Sequence, residues 1–150
     1  MKRIHLLFVF ALVFAACTLT SEQEERLNKQ IQRYVAAYNE NRSLEVVAFT
    51  HPKIVASVKK DGDSSFLVHF HQHDDSTRYY FANPLYRETK VAGKSIQRKY
   101  WVEKYTESEE ITDQYCIFAL SEDNGNTWFL AQETDYFSER YPTSKRLFKK

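Results

Sequence analysis

The chain is organised around Ser21-Glu-Gln-Glu-Glu-Arg-Leu-Asn-Lys-Gln-Ile-Gln-Arg-Tyr-Val-Ala-Ala-Tyr-Asn-Glu-Asn41. Leu27, Ile31, Tyr34, Val35 and Tyr38 recur at helical spacing and form one apolar stripe, while Glu24, Glu25, Lys29, Gln32 and Arg33 take the other faces. The spacing predicts an amphipathic helix, opened by a capping box in which Ser21 and Glu24 satisfy the first orphan amides. The chain beyond it is mostly strand-like and aromatic, so the stripe is expected to lie on a sheet.

Upstream of this helix, Lys2 and Arg3 precede an apolar run from Leu6 to Ala16 that is too short to span a bilayer and suits the h-region of a secretory signal. Phe14-Ala15-Ala16-Cys17 resembles a bacterial lipobox, in which small residues precede a cysteine that becomes the acylated N-terminus. The resemblance implies palmitate-type acyl chains on Cys17, each adding about 0.8 kcal/mol per buried methylene, and a lipoprotein held in the cell envelope without a spanning helix. Residues 1–16 are then the signal peptide, 17–21 the lipidated cysteine with a short tether, and 22–150 a single domain. Cys116 is left as one thiol among Tyr115, Ile117 and Phe118 and reads as a small core residue. Loss of Lys2 and Arg3 turns a balance of 21 cations to 20 acids into 19 to 20, which supplies no charge argument for binding nucleic acid.

Downstream, Ser43 is placed to cap a second, short helix through Leu44, Val46, Val47 and Phe49, ended by Thr50-His51-Pro52. Ile54, Ala56 and Val58 alternate and suggest an extended segment before Asp61-Gly62. Phe66, Val68 and Phe70 alternate with Leu67, His69 and His71, which predicts a half-buried strand paired through the Asp74-Asp75-Ser76 turn with 78–81. Asn83-Pro84 is expected to close that partner and a polar loop to run to Gly93. Long strands are expected over Ile96 to Thr106 and Tyr115 to Leu120, with an acidic turn from Glu107 to Asp113 between them. The Asn124-Gly125 turn returns the chain as a last strand from Thr127 to Gln132.

A long N-terminal helix and a short second helix packed on a curved antiparallel sheet of about four to five strands is an α+β architecture. In Tyr34-Val35-Ala36-Ala37-Tyr38-Asn39 through Thr50-His51-Pro52-Lys53-Ile54-Val55, and in element order, the chain resembles the NTF2-like group of cone-shaped domains. That group includes enzymes, small-ligand binders and interaction modules, so the resemblance implies a fold and leaves the function open. Ser121-Glu122-Asp123-Asn124-Gly125-Asn126-Thr127-Trp128 resembles the Asp-box that decorates sialidase hairpins. One copy reads as a stabilised turn built on Ser121, Asp123, Gly125, Thr127 and Trp128.

His69, His71 and His73 share one side of the expected strand and precede Asp74 and Asp75, a spacing that suits metal ligation. Three such positions span about 13 Å, so one ion reaches two neighbours more easily than three, and a solvated face is the simpler reading. His51 beside Pro52 could serve as a general base in a pocket. No nucleophile set or acid/base pair stands out, and no cofactor or metal is assigned. The leading reading is a membrane-anchored lipoprotein with a non-enzymatic binding domain, for a small apolar ligand in the cone or an envelope protein on its sheet. Tyr34, Tyr38, His69, His71, Tyr100 and Trp101 are the candidate lining residues. The alternatives are a dehydratase- or isomerase-type enzyme with a histidine base, a metal-binding lipoprotein, and, for partners, a homodimer through the sheet.

Overall fold

The computed structural model describes residues 19–60, 62, 69–70, 79–106 and 111–137. Among these, helices α1 (Ser21–Asn39), α2 (Ser43–Phe49) and α3 (Pro52–Lys60) precede strands β1 (Tyr79–Ala92), β2 (Ser95–Thr106), β3 (Ile111–Ser121) and β4 (Phe129–Gln132), and a single helical turn, α4 (Glu133–Phe137), follows. The strands pair antiparallel in chain order as one open four-stranded sheet. The protein is thus α+β, with an N-terminal helix and short helices packed on that sheet.

The capping box of α1 sits one residue earlier than the sequence suggests. Thr20 Oγ1 accepts from the Gln23 amide at 3.2 Å while the Thr20 amide donates to Gln23 Oε1 at 3.0 Å. Thr20 prevails over Ser21 because the Gln23 side chain also donates to the Asn124 carbonyl at 3.0 Å, a tie that Glu24 has no proton to make. At the other end, Asn41 takes a left-handed φ of 56°. The amides of Arg42 and Asn41 turn back to the carbonyls of Ala37 (2.8 Å) and Tyr38 (3.2 Å), a Schellman closure with Asn in place of Gly. That closure runs directly into α2, so Arg42 and not Ser43 is its N-cap, and no side chain caps it.

Three expectations are corrected. Residues 54–58 are not extended: Pro52 opens α3, because its fixed φ and missing N–H suit a first helical turn, and Ile54 and Val58 lie one turn apart, both buried. The strand expected over 66–71 falls mostly outside the described residues, and at His69 and Phe70 the backbone is helical. A run that short does not separate a period of 2 from one of 3.6. Asn83-Pro84 does not end a strand, since β1 continues to Ala92 and its partner is β2. The register shifts between Ala82 and Leu85 and again between Tyr86 and Glu88, bulges that absorb the Asn83 φ of 48°, and among the described strands β1 is at the edge of the sheet, where the donor missing at Pro84 is tolerated.

Alternation assigns the faces of the sheet. Arg98, Tyr100 and Val102 of β2 share a face with Ile117 of β3 and Leu130 of β4, and α1 covers it with Leu27, Ile31 and Tyr34. Gln97, Lys99 and Trp101 point to the back face, where Tyr136 of α4 stacks on Phe118 at 3.9 Å and donates to Gln97 Oε1 at 2.6 Å. Asn39, the last residue of α1, pairs with β1 as a neighbouring strand would. Its side-chain amide donates to the Phe81 carbonyl and its oxygen accepts from the Phe81 amide, both at 2.8 Å. Asn39→Ala removes both bonds and is expected to cost about 1 to 2 kcal/mol, read as a lowered urea midpoint with unchanged slope.

Candidate functional site

The candidate lining residues do not converge on one cavity. Tyr34 is buried beneath α1, where its hydroxyl accepts from Gln132 Nε2 at 3.0 Å. Tyr38 stacks on Phe81 with ring centroids 4.6 Å apart, and burial lifts its hydroxyl pKa to about 12. Tyr100 is buried on the same face. These three tyrosines fill the space between helix and sheet as packing, together with Leu27, Ile31, Ile117 and Leu130. Trp101 lies on the opposite face. His69 Nε2 stands 3.0 Å from Asp135 Oδ2, tying the 69–70 segment to α4. His71 and His73 lie outside the described residues.

Arg98 is a residue whose importance alternation alone did not reveal. It is buried on the helix-facing side of β2, with Nη1 donating to Glu24 Oε1 at 2.7 Å and its guanidinium 4.9 Å from the Tyr86 ring centre. The pair fixes the first turn of α1 to the middle of the sheet. Its Nε and the Tyr100 hydroxyl are buried with no hydrogen-bond partner among the described residues.

His51 holds three elements together. Its amide donates to the Leu130 carbonyl at 2.9 Å on the edge of β4 away from β3, and its carbonyl accepts from Ile54 and Val55 in the first turn of α3. Its Nδ1 accepts from the Lys53 amide at 3.2 Å, a side-chain cap. The ring stands edge-on to Phe129 at 5.6 Å and is only 4% exposed. Burial pulls its pKa from 6.5 down to about 4, with Lys53 helping and Glu122 opposing. The neutral ring with Nδ1 accepting carries its proton on Nε2, so it is a hydrogen-bond donor and a weak base. His51, Pro52, Lys53, Glu122, Asp123, Thr127 and Phe129 border a hollow of about 320 Å³. A larger one of about 670 Å³ runs along the polar outer side of α1, but a single helix lines it and no groups converge there.

The Asp-box turn is a closed hydrogen-bond unit. Ser121 Oγ donates to Asp123 Oδ1 at 2.8 Å and accepts from the Gly125 amide at 2.8 Å, while Asp123 Oδ1 accepts from the amides of Asn126 (3.1 Å) and Thr127 (2.8 Å). Trp128 Nε1 donates to the Gly125 carbonyl at 3.0 Å, and Gly125 holds a φ of 83°. Burial pushes the Asp123 carboxyl up, but the bonds from Thr127, Ser121 and Asn126 outweigh it and hold the pKa below its ordinary value. Cys116 is buried, and burial followed by Glu133 raises its thiol pKa, so it is a neutral thiol at pH 7.

The back face of the β1–β2 ribbon has a different character. Trp101 lies across from Leu85 on β1 and Cys116 on β3. The Arg87 guanidinium sits 4.1 Å from its ring centre and Lys99 Nζ 5.9 Å away. Leu85 is 53% exposed. Tyr80 and Tyr105 stack at 5.6 Å farther along the same face. Among the described residues no group of three or more His, Cys, Asp or Glu could hold a metal ion. Comparison with protein-family models, curated proteins and solved structures finds no match.

Two outcomes follow from this geometry. Asp123→Ala unties two amides and a hydroxyl and should lower stability by about 1 to 2 kcal/mol in urea unfolding. His51 should stay neutral in NMR titration down to about pH 4. The unfolded chain takes up that proton first, near 6.5. Stability should therefore fall as pH drops from 6.5 to about 4, and His51→Gln, which lowers the whole curve by losing the Lys53 cap, should flatten that part of the profile and leave its slope above pH 7 unchanged.

Proposed function

We propose that the protein is an exported lipoprotein, anchored through Cys17 to a membrane of the bacterial cell envelope, whose domain binds another envelope protein without catalysing a reaction. The order of helices before a bulged antiparallel sheet supports the NTF2-like cone as its fold. The observation that carries the function is the Leu85–Trp101 patch. A tryptophan clasped by Arg87 and Lys99, next to a half-exposed leucine on a rigid strand pair, has the composition that concentrates energy at protein interfaces. The stripe of α1 is used up in packing against the sheet, which favours this outer surface over an apolar ligand in the interior.

An enzymatic reading has less support. His51 is a weak base occupied as a cap, and His69 is engaged with Asp135. The edge of β1 is blunted by Pro84, two bulges and the charged Arg87, Glu88 and Lys90, so recognition through side chains is favoured over addition of a further strand.

A photo-crosslinking residue at Leu85 in the envelope should give one discrete adduct, lost in Trp101→Ala, while the same residue at Gln32 on the outer side of α1 gives none. An adduct indifferent to Trp101, or one formed equally at both positions, would refute the patch. An adduct of twice the chain mass would instead identify the homodimer. Cys17→Ser should move the protein out of the membrane fraction.

A further inference from the structure

We infer that the end of the domain formed by the Gly93-Lys94 and Asn124-Gly125 turns rests on the lipid headgroups, so that α1 and the sheet point away from the membrane. This orientation rests on the proposed lipid at Cys17 and adds what that proposal leaves open, namely which surface the bilayer covers.

The short leash to Cys17 sets this orientation. Leu19 is fixed to the domain: a Cβ built on Gly125 would stand 2.6 Å from Leu19 Cδ2, so the leucine is seated directly on that glycine. Thr20 begins the capping box of α1, and the Gln23 side chain donates to the Asn124 carbonyl at 3.0 Å and to Asn126 Oδ1 at 3.3 Å. The Asn124 amide in turn donates to the Lys94 carbonyl at 2.9 Å. Residue 19 and the two turns therefore form one end of the molecule. In sequence only Thr18 separates Leu19 from Cys17, so the two Cα atoms are at most about 7 Å apart. A domain of this size has a radius of gyration of about 14 Å. The leash is shorter than the domain is wide, and among the described residues no other face comes within its reach.

The end that meets the bilayer is polar. Lys94, Asn124 and Asn126 are exposed there, suited to headgroups and not to the acyl region. The far end of α1, at Glu40, is then about 28 Å higher at 1.5 Å per residue. Trp101, six residues along β2 from Ser95, stands roughly 20 Å above the surface, within reach of a neighbouring protein.

The test uses the full-length lipidated chain in vesicles of phosphatidylcholine and phosphatidylglycerol, with an environment-sensitive fluorophore at Lys94→Cys or Glu40→Cys and a headgroup nitroxide as quencher. Lys94→Cys should be quenched several-fold more than Glu40→Cys, with Asn126→Cys as a second lower site should the first variant fold poorly. Equal or reversed quenching in protein that co-floats with the vesicles would overturn the orientation while leaving the anchor intact. Failure to co-float would overturn the anchor and the orientation with it.

Discussion

The structure depends on the burial of one stripe of α1 against one face of a four-stranded sheet. Leu27, Ile31 and Tyr34 meet Val102, Ile117 and Leu130, all almost wholly excluded from water, and the removal of that apolar surface is the main favourable term for folding. Burial alone has no direction, so it would leave the helix able to slide. Polar ties along its length fix it: Gln23 to the Asn124 carbonyl, Glu24 to Arg98, Gln30 to the Trp128 carbonyl at 2.8 Å, and Asn39 to Phe81. Each polar group is placed where a shift by one turn would leave it unpaired, so the hydrogen bonds set the register that hydrophobicity leaves loose.

How far the sequence reveals this fold depends on whether the deciding interaction is local. The stripe of α1, the long β2 and the hairpin from β3 into β4 were legible because each is written in a period or in a turn motif contained within about ten residues. The choice of Thr20 over Ser21 was not, because a partner 101 positions away in sequence decides it. Pro52 illustrates a second kind of ambiguity: the same ring that excludes helix for the residue before it favours helix for the residues after it. Ile54, Ala56 and Val58 fit an alternating pattern, yet Ile54 and Val58 also fit one turn of helix, and His51 as a cap tips the balance. Asn83-Pro84 read as a terminator because nothing local says that β1 is an edge strand, where proline is harmless.

The candidate site was less legible for a related reason. Aromatic residues at Tyr34, Tyr38, Tyr100 and Trp101 look equivalent in sequence, but parity along β2 sends Tyr100 to the helix and Trp101 to the back of the sheet. The first three then serve the core, and Trp101, on the back face, is the one that the proposed recognition surface uses. Arg98 went unnoticed because a charged residue on an apolar strand suggests exposure, whereas Glu24 allows it to be buried.

The position of Trp101 bears on both the proposed partner and the proposed membrane anchor. Were the patch at the Gly93-Lys94 end, the bilayer beneath a chain leashed at Cys17 would compete for it, and a tryptophan flanked by cations would bind lipid as readily as protein. Placed half-way along β2, on the face away from α1, Trp101 would stand clear of the headgroups under the proposed anchoring. Under the two proposals, the polar turn end would meet the membrane and the aromatic back face of the ribbon the partner. A residue pattern that looks diffuse along the chain becomes two distinct surfaces once the strands are paired.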